Sequence, residues 1–295
     1  MIALNPAEHV ELPSGRSPNA LVWTEARVQR WLETGRRPSP VMVWTPEQTG
    51  RFLDFTIDDR HYPLWHLVAF RGLRRGEACS LRVEDLDLSG KTLTVRTSRD
   101  DAADPDEDAA DTTKNRRDRT LAVDTATLNL LKRQLAWLAA QREEWGQAWQ
   151  DSGLLFTAEN GAPLVADTIS QHFDRLCTRY EAIRRSPQRP AGRGRAATAE
   201  ALARAHRTPL PAVRLALAGA PLPPIRLHDL RHVAATLAYR ATKDLKLVSQ
   251  LMGHSGIQIT ADTYTSVFED VDRDAAEAVV AVVPRASTGN VARAH

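Results

Sequence analysis

His228-Asp229-Leu230-Arg231-His232 opens a helix-patterned run that continues to Arg240. Side chains three apart at the start of a helix share one face, so His228 and Arg231 are expected to project together. Three further segments are read alongside it: Gly72-Leu73-Arg74-Arg75-Gly76-Glu77, Lys114 to Arg119, and Gly253-His254 followed ten residues later by Tyr264. Each is ordinary alone. Arg74 would pass for a surface cation, His254 for a helix-end residue, and Tyr264 for one of four tyrosines. Their order along the chain is what carries information.

Working outward, Leu64 to Arg71 is a helix-like run that stops at Gly72, and Ala78 to Leu81 turns helical again. Thr45-Pro46-Glu47-Gln48 is a helix start, with Thr45 to cap, Pro46 at the first helical position and Gln48 to close a capping box. Phe52, Leu53 and Phe55 then supply apolar contacts. Leu93 and Val95 alternate with polar residues as in a half-buried strand, and Thr120 to Val123 is a second short strand. Between them Asp100 to Asp111 packs seven carboxylates into twelve residues, so a hairpin with a long acidic loop is expected. Leu128, Leu131, Leu135 and Leu138 recur at three- and four-residue steps towards Trp145 and Trp149, marking an amphipathic helix. Another starts at Asp167, with Ile169, Phe173, Leu176 and Tyr180 on one face. Later helices are expected over Asp229 to Arg240, Leu245 to Met252, Ile257 to Thr263 and Asp272 to Val282. The fold class is therefore mainly α with a small antiparallel β-sheet.

Residues 1–40 are rich in Pro, Ser, Gly and Arg around one short helix and read as an arm or linker. A domain over 41–283 follows, with insertions at about 100–111 and 184–224, and residues 284–295 read as a disordered tail. In the second insertion Ala199 to Ala203 and Ala212 to Leu217, split by Thr208-Pro209, look like a miniature helix-turn-helix.

The 295 residues are 42% apolar and 26% charged, which suits a globular chain and argues against collagen-like, mostly disordered or coiled-coil classes. The longest uncharged apolar run, Ala278 to Val283, is far too short for a membrane span, and the N-terminus lacks a signal-peptide pattern. Two cysteines, Cys79 and Cys177, build neither a disulfide framework nor a four-thiolate zinc site. A reduced, cytoplasmic setting is expected. The 39 basic and 37 acidic residues leave a net +2, which neither demands nor forbids nucleic acid. Only five of the basic residues are lysines, so Lys114 beside the hairpin is the less accidental.

Arg74, Lys114, His228 with Arg231, His254 and Tyr264, in that order, resemble the tyrosine recombinase (phage integrase) family. The resemblance covers about Val41 to Phe268. It implies an integrase-like catalytic domain that breaks and rejoins DNA, with Arg74, Lys114, His228, Arg231, His254 and Tyr264 as catalytic residues and Glu77 orienting an arginine or histidine from behind. His232 reads as structural, and Tyr62, Tyr180 and Tyr239, in or beside apolar runs, as core.

Elementary chemistry explains why these groups suffice. A phenol with a pKa near 10 is about one part in a thousand phenolate at pH 7, roughly 4 kcal/mol of barrier, so its proton must be withdrawn or stabilised. Forked guanidiniums, here Arg74 and Arg231, can clamp the extra charge that develops on the non-bridging phosphate oxygens. Such a pair can stand in for a divalent metal, and the sequence offers no carboxylate triad or His/Cys cluster for one, so metal-free and cofactor-free chemistry is expected. The resemblance gives Lys114 the proton for the departing 5′ oxygen; the alternative is a solvated turn lysine. His228 is the candidate acid or base beside Tyr264; the alternative is a cap histidine with Arg231 paired to Asp229 or Glu77. His254 would hydrogen-bond a phosphate oxygen. A phosphotyrosyl link would keep the energy of the cut bond, so no nucleotide cofactor is needed.

The implied partners are double-stranded DNA, further copies of the chain in a tetrameric synapse, and a directionality factor, in the nucleoid and away from membranes. The stripe Val271, Ala275, Ala278, Val279 and Val282 would dock on a neighbouring protomer or pack on its own domain. The helical core-binding domain that precedes the catalytic one in such enzymes is missing from the reading; Asn5 to Pro13 resembles the linker after it, as in an internal start or truncation. The arginine-rich insertion is read either as a DNA contact or as a solvated, partly disordered loop. Competing readings are a non-catalytic DNA-binding remnant and a strand-relaxing topoisomerase of type IB.

Overall fold

The computed structural model describes residues 20–96, 118–186, 198–254, 256–258 and 260–261. In chain order, β1 (Leu21–Val22) and α1 (Glu25–Thr34) lead to β2 (Met42–Val43), which pairs with β1 in parallel, Leu21 opposite Met42. α2 (Pro46–Phe55) starts as its sequence dictates. Thr45 N–H donates to the Gln48 side chain at 2.9 Å and the Gln48 N–H to Thr45 Oγ1 at 3.3 Å, closing the capping box. α3 (Tyr62–Arg71) ends at Gly72, whose φ of +62° is a conformation side chains rarely adopt, and the chain turns into α4 (Arg75–Ser80).

β3 (Leu86–Asp87), β4 (Thr92–Val95) and β5 (Arg119–Ala122) form a three-stranded antiparallel sheet, with Leu93 opposite Leu121 and Val95 opposite Arg119. The expected hairpin is present, and the acidic loop between its strands lies outside the described residues. α5 (Thr125–Trp145) is capped by Asp124, which accepts from Thr127 N–H at 3.0 Å. α6 (Ala166–Arg184), α7 (Ala199–His206), α8 (Leu210–Ala218), α9 (Asp229–Thr242) and α10 (Leu245–Met252) complete the labelled elements. The fold is mainly helical, as expected. None of its described helices is long and apolar enough to cross a membrane.

Trp44, Phe52 and Phe173 form an aromatic knot with ring centroids 4.9 to 5.8 Å apart, and Trp65 packs on Phe173 at 5.9 Å. Truncating a ring in such a knot costs about 3–5 kcal/mol. α3 lies against α9 and α5, while α6 carries α8 and α4 on its sides.

Two expectations need correcting. Residues 20–40 are not an arm: Ala20, Trp23 and Val28 are buried in the main core, and β1 with β2 makes a parallel two-stranded sheet distinct from the antiparallel one that was expected. A proline- and arginine-rich composition is an average, whereas two tryptophans in the right places decide burial. Likewise residues 198–218 of the second insertion are packed, not solvated. Leu202, Ala212, Val213 and Ala216 are buried, and α8 seats on α6 and α2. The tail 284–295 and the apolar stripe 271–282 lie outside the described residues.

The run before α9 is laced from four directions. Tyr180 donates its hydroxyl to Ala220 O at 2.9 Å, Arg51 reaches Pro221 O at 3.4 Å, Trp44 Nε1 reaches Pro223 O at 2.7 Å and Trp23 Nε1 reaches Pro224 O at 3.3 Å. These donors satisfy carbonyls that prolines and turns leave without ladder partners, and so set where α9 begins.

Candidate active site

Gly72 aims the chain so that Arg74 sits at the N-cap position of α4 and Glu77 one turn in. Glu77 Oε2 accepts from Arg74 N–H at 2.7 Å, and Arg74 Nη1 donates to Glu77 Oε1 at 2.9 Å. Arg119, the first residue of β5, closes a two-pronged fork on the same carboxylate, Nη1 to Oε1 and Nη2 to Oε2, both at 2.7 Å. Glu77 is 7% exposed. Burial by itself pushes its carboxyl upward. Arg119, by charge and by hydrogen bond, outweighs that together with Arg231 and Arg74, and holds it well below the ordinary 4.5.

Arg231 is 2% exposed and bridges two helix ends, donating from Nη1 to Gly72 O after α3 and from Nη2 to Met252 O at the end of α10. Helix C-termini carry partial negative charge, so a guanidinium is favoured there. Asp229 is held by Arg226, whose Nη2 lies 2.8 Å from Oδ1. Arg231 is nonetheless near enough to Glu77 to depress its pKa.

His228 occupies the N-cap position of α9 and is 8% exposed. Burial drives its pKa well below 6.5, and the neighbouring His232, Arg231, Arg226 and Arg74 drive it further. The imidazole is therefore neutral at pH 7, with Nδ1 buried and without a hydrogen-bond partner. His232, also buried, stands edge-on to it at 5.4 Å. His254 follows Gly253, whose φ is +67° and where a Cβ would come within 3.1 Å of Arg119. Its Nδ1 is 2.8 Å from Thr260 Oγ1. The positive φ favours glycine there, and a side chain would press on Arg119 by a few tenths of an ångström.

The structure thus gathers Arg74, Glu77, His228 and Arg231, with the His254 turn against Arg119. Lys114 and Tyr264 lie outside the described residues. Tyr180 behaves as core: burial raises its pKa to about 12 and its hydroxyl is committed to Ala220. Among Arg74, Arg119, Arg231 and Glu77, three permanent cations face one carboxylate. A buried excess of positive charge lined by forked donors is suited to an anion such as a phosphodiester.

Sequence reasoning missed Arg119 as a member of the cluster. Its signal was strand alternation, because Arg119 stands two residues before buried Leu121 and opposite buried Val95, which turns it inward. It also missed a second grouping, Asp59, His61 and His172, whose ligand atoms lie within 4.8 Å of one another. The expectation that no His cluster exists is corrected to that extent.

The sequence matches the model of the phage integrase family over residues 43–208 and 205–270. An integrase of Staphylococcus phage L54a is 23% identical over 241 residues, covering 77% of this chain and 56% of the relative. An integrase/recombinase of Escherichia coli is 28% identical over 255 residues, covering 81% of this chain and 65% of that one. The chain therefore spans about half to two thirds of the length of these curated relatives. In fold it is similar to the crystal structure of XerA recombinase, with a TM-score of 0.52 at 19% identity over 82% of this chain and 65% of that one. With its arginine cluster in place and most of its length matched, the chain belongs to the phage integrase family.

Proposed function

We propose that this chain is the catalytic domain of a site-specific tyrosine recombinase that cuts duplex DNA through a 3′-phosphotyrosyl link and rejoins it, integrating or excising a mobile element. The observation that carries the reading is the single buried carboxylate of Glu77 gathering Arg74 and Arg119, with Arg231 beside it. In this reading Arg74 and Arg231 hold the non-bridging oxygens of the scissile phosphate. Arg231 is oriented by two main-chain carbonyls and Arg74 by Glu77, so neither has to be ordered when substrate arrives. Neutral His228 takes the phenol proton of Tyr264, which lies seven residues beyond Ile257, the start of a short helical turn. Tyr264 Oη attacks phosphorus, the 5′ oxygen leaves, and Lys114 supplies its proton. His254 hydrogen-bonds a phosphate oxygen, and a 5′ hydroxyl of a second duplex reverses the step. Duplex DNA is the substrate; a homotetrameric synapse and a directionality factor complete the system in the nucleoid.

A pool of nicked duplexes with randomised cores, in which the short cleaved fragment diffuses away, tests this directly. The protein should trap a covalent DNA adduct and Tyr264→Phe should trap none, while Arg231→Ala should reduce trapping by about 100-fold or more. Absence of any adduct overturns the enzymatic reading in favour of a DNA-binding remnant. Relaxation of supercoils without recombinant products replaces strand exchange by simple strand rotation.

A further inference from the structure

Asp59 and His61 lie in the loop joining α2 to α3, and His172 lies on α6. His172 Nε2 is 2.8 Å from Asp59 Oδ2, His61 Nδ1 is 3.7 Å from Asp59 Oδ1, and the two imidazole centroids are 5.3 Å apart. Both ring nitrogens of His61 are buried and neither has a hydrogen-bond partner. Buried ring nitrogens beyond hydrogen-bond reach of any protein acceptor, with Nδ1 facing Asp59 Oδ1 at 3.7 Å, call for a partner. Whatever meets His61 should offer an acceptor for lone pairs as well as room beside a carboxylate.

We propose that Asp59, His61 and His172 form a divalent metal site for Zn²⁺, separate from the arginine cluster and serving to fasten the α2–α3 loop to α6. The donor set is two imidazole nitrogens and one carboxylate oxygen. That set suits zinc and its borderline neighbours, whereas calcium and magnesium ask for oxygen alone. The carboxylate is already oriented, since Asp59 Oδ1 accepts from His61 N–H at 2.9 Å and from Trp65 Nε1 at 3.1 Å. Such outer hydrogen bonds are what hold metal ligands in place. Arg60, the nearest cation along the chain, is turned to other work: it donates to Thr157 O at 2.8 Å, pairs with Glu159 at 3.3 Å and lies over the Trp137 ring. Ligand atoms on tetrahedral zinc stand roughly 3.3 Å apart for bonds of about 2.0 Å, so the widest separation has to close by about 1.5 Å, a distance a loop can supply. Water fills the fourth position. This site stands whether or not the DNA chemistry proposed above does.

The test uses the whole protein, stripped with chelator and then given Zn²⁺. One zinc per chain should remain after gel filtration, Tm should rise by about 5–10 °C near saturation, and Co²⁺ should give visible d–d absorption. His61→Phe should keep the metal-free Tm within a few degrees, because the ring it replaces makes no hydrogen bond, yet lose both the zinc and the shift. His172→Gln should lose them too. X-ray absorption of the zinc protein, which needs no variant, should find two imidazoles on the metal. Retention of zinc and of the full Tm shift by His61→Phe would overturn the proposal, as would a zinc edge without imidazole scattering or a failure to bind at all.

Discussion

Glu77 is a buried carboxylate and Asp59 a half-buried one, yet they have collected opposite company. Around Glu77 stand guanidiniums, which keep their charge at every pH the fold survives and can only donate. Around Asp59 stand imidazoles, whose charge is optional and whose neutral form carries a lone pair. The first cluster is left with a surplus of positive charge and is complementary to an anion. The second places imidazole nitrogens beside a carboxylate and is complementary to a metal cation. What separates two sites built on the same acid is whether the partner can titrate.

The largest expected effect falls on the permanent charges. Glu77→Gln should lower the unfolding free energy by about 3–5 kcal/mol in urea titration, because the guanidiniums then face one another without their counter-charge. A loss below about 1 kcal/mol would mean that solvent screens the cluster. Asp59→Asn, in metal-free protein, should cost less, about 1–3 kcal/mol, the cost of losing a half-buried hydrogen-bond acceptor that meets no permanent cation. Equal losses in the two variants would erase the distinction. Arg119→Lys sharpens it further: an ammonium keeps the charge but not the fork, so roughly 1.5 kcal/mol should go with the lost charged hydrogen bond.

The smallest signal is the dependence on pH. The folded-state pKa of His228 lies below its unfolded value of 6.5, so as pH falls through about 6.5 the unfolded chain takes up a proton that the fold refuses. Stability should therefore decline from near neutrality downwards, with His66, also lowered by burial, adding in the same direction. Glu77 is depressed as well, so its contribution is complete above 4.5 and drains away only below that. His228→Asn should flatten the first decline and leave the second. Unchanged slopes between pH 7 and 5 would mean that His228 is not buried neutral in solution.

Much of the molecule was readable in advance for a local reason. The Thr45 capping box, the Gly72 stop and the spacing of Leu128, Leu131 and Leu138 act within a few residues, and each produced the element expected of it. Arg74, Glu77, His228 and Arg231 were found by their order along the chain, and they do come together. Arg119 was passed over because one inward-facing arginine in a four-residue strand is a faint signal beside a long insertion. Residues 20–40 were misjudged because composition cannot say where Trp23 will find a carbonyl such as that of Pro224.

Short-range patterning was enough to write down most of the helices and the hairpin, since hydrogen bonds, caps and helical or strand periodicity are settled among neighbours, while the candidates for chemistry came from a family resemblance in their order along the chain. Which charge meets which was left to packing: Arg119 meets Glu77 across 42 residues and His172 meets Asp59 across 113. No periodicity reaches that far along a polymer. A buried ion takes the counter-group that the closed core brings within about 3 Å, and only folding brings it there.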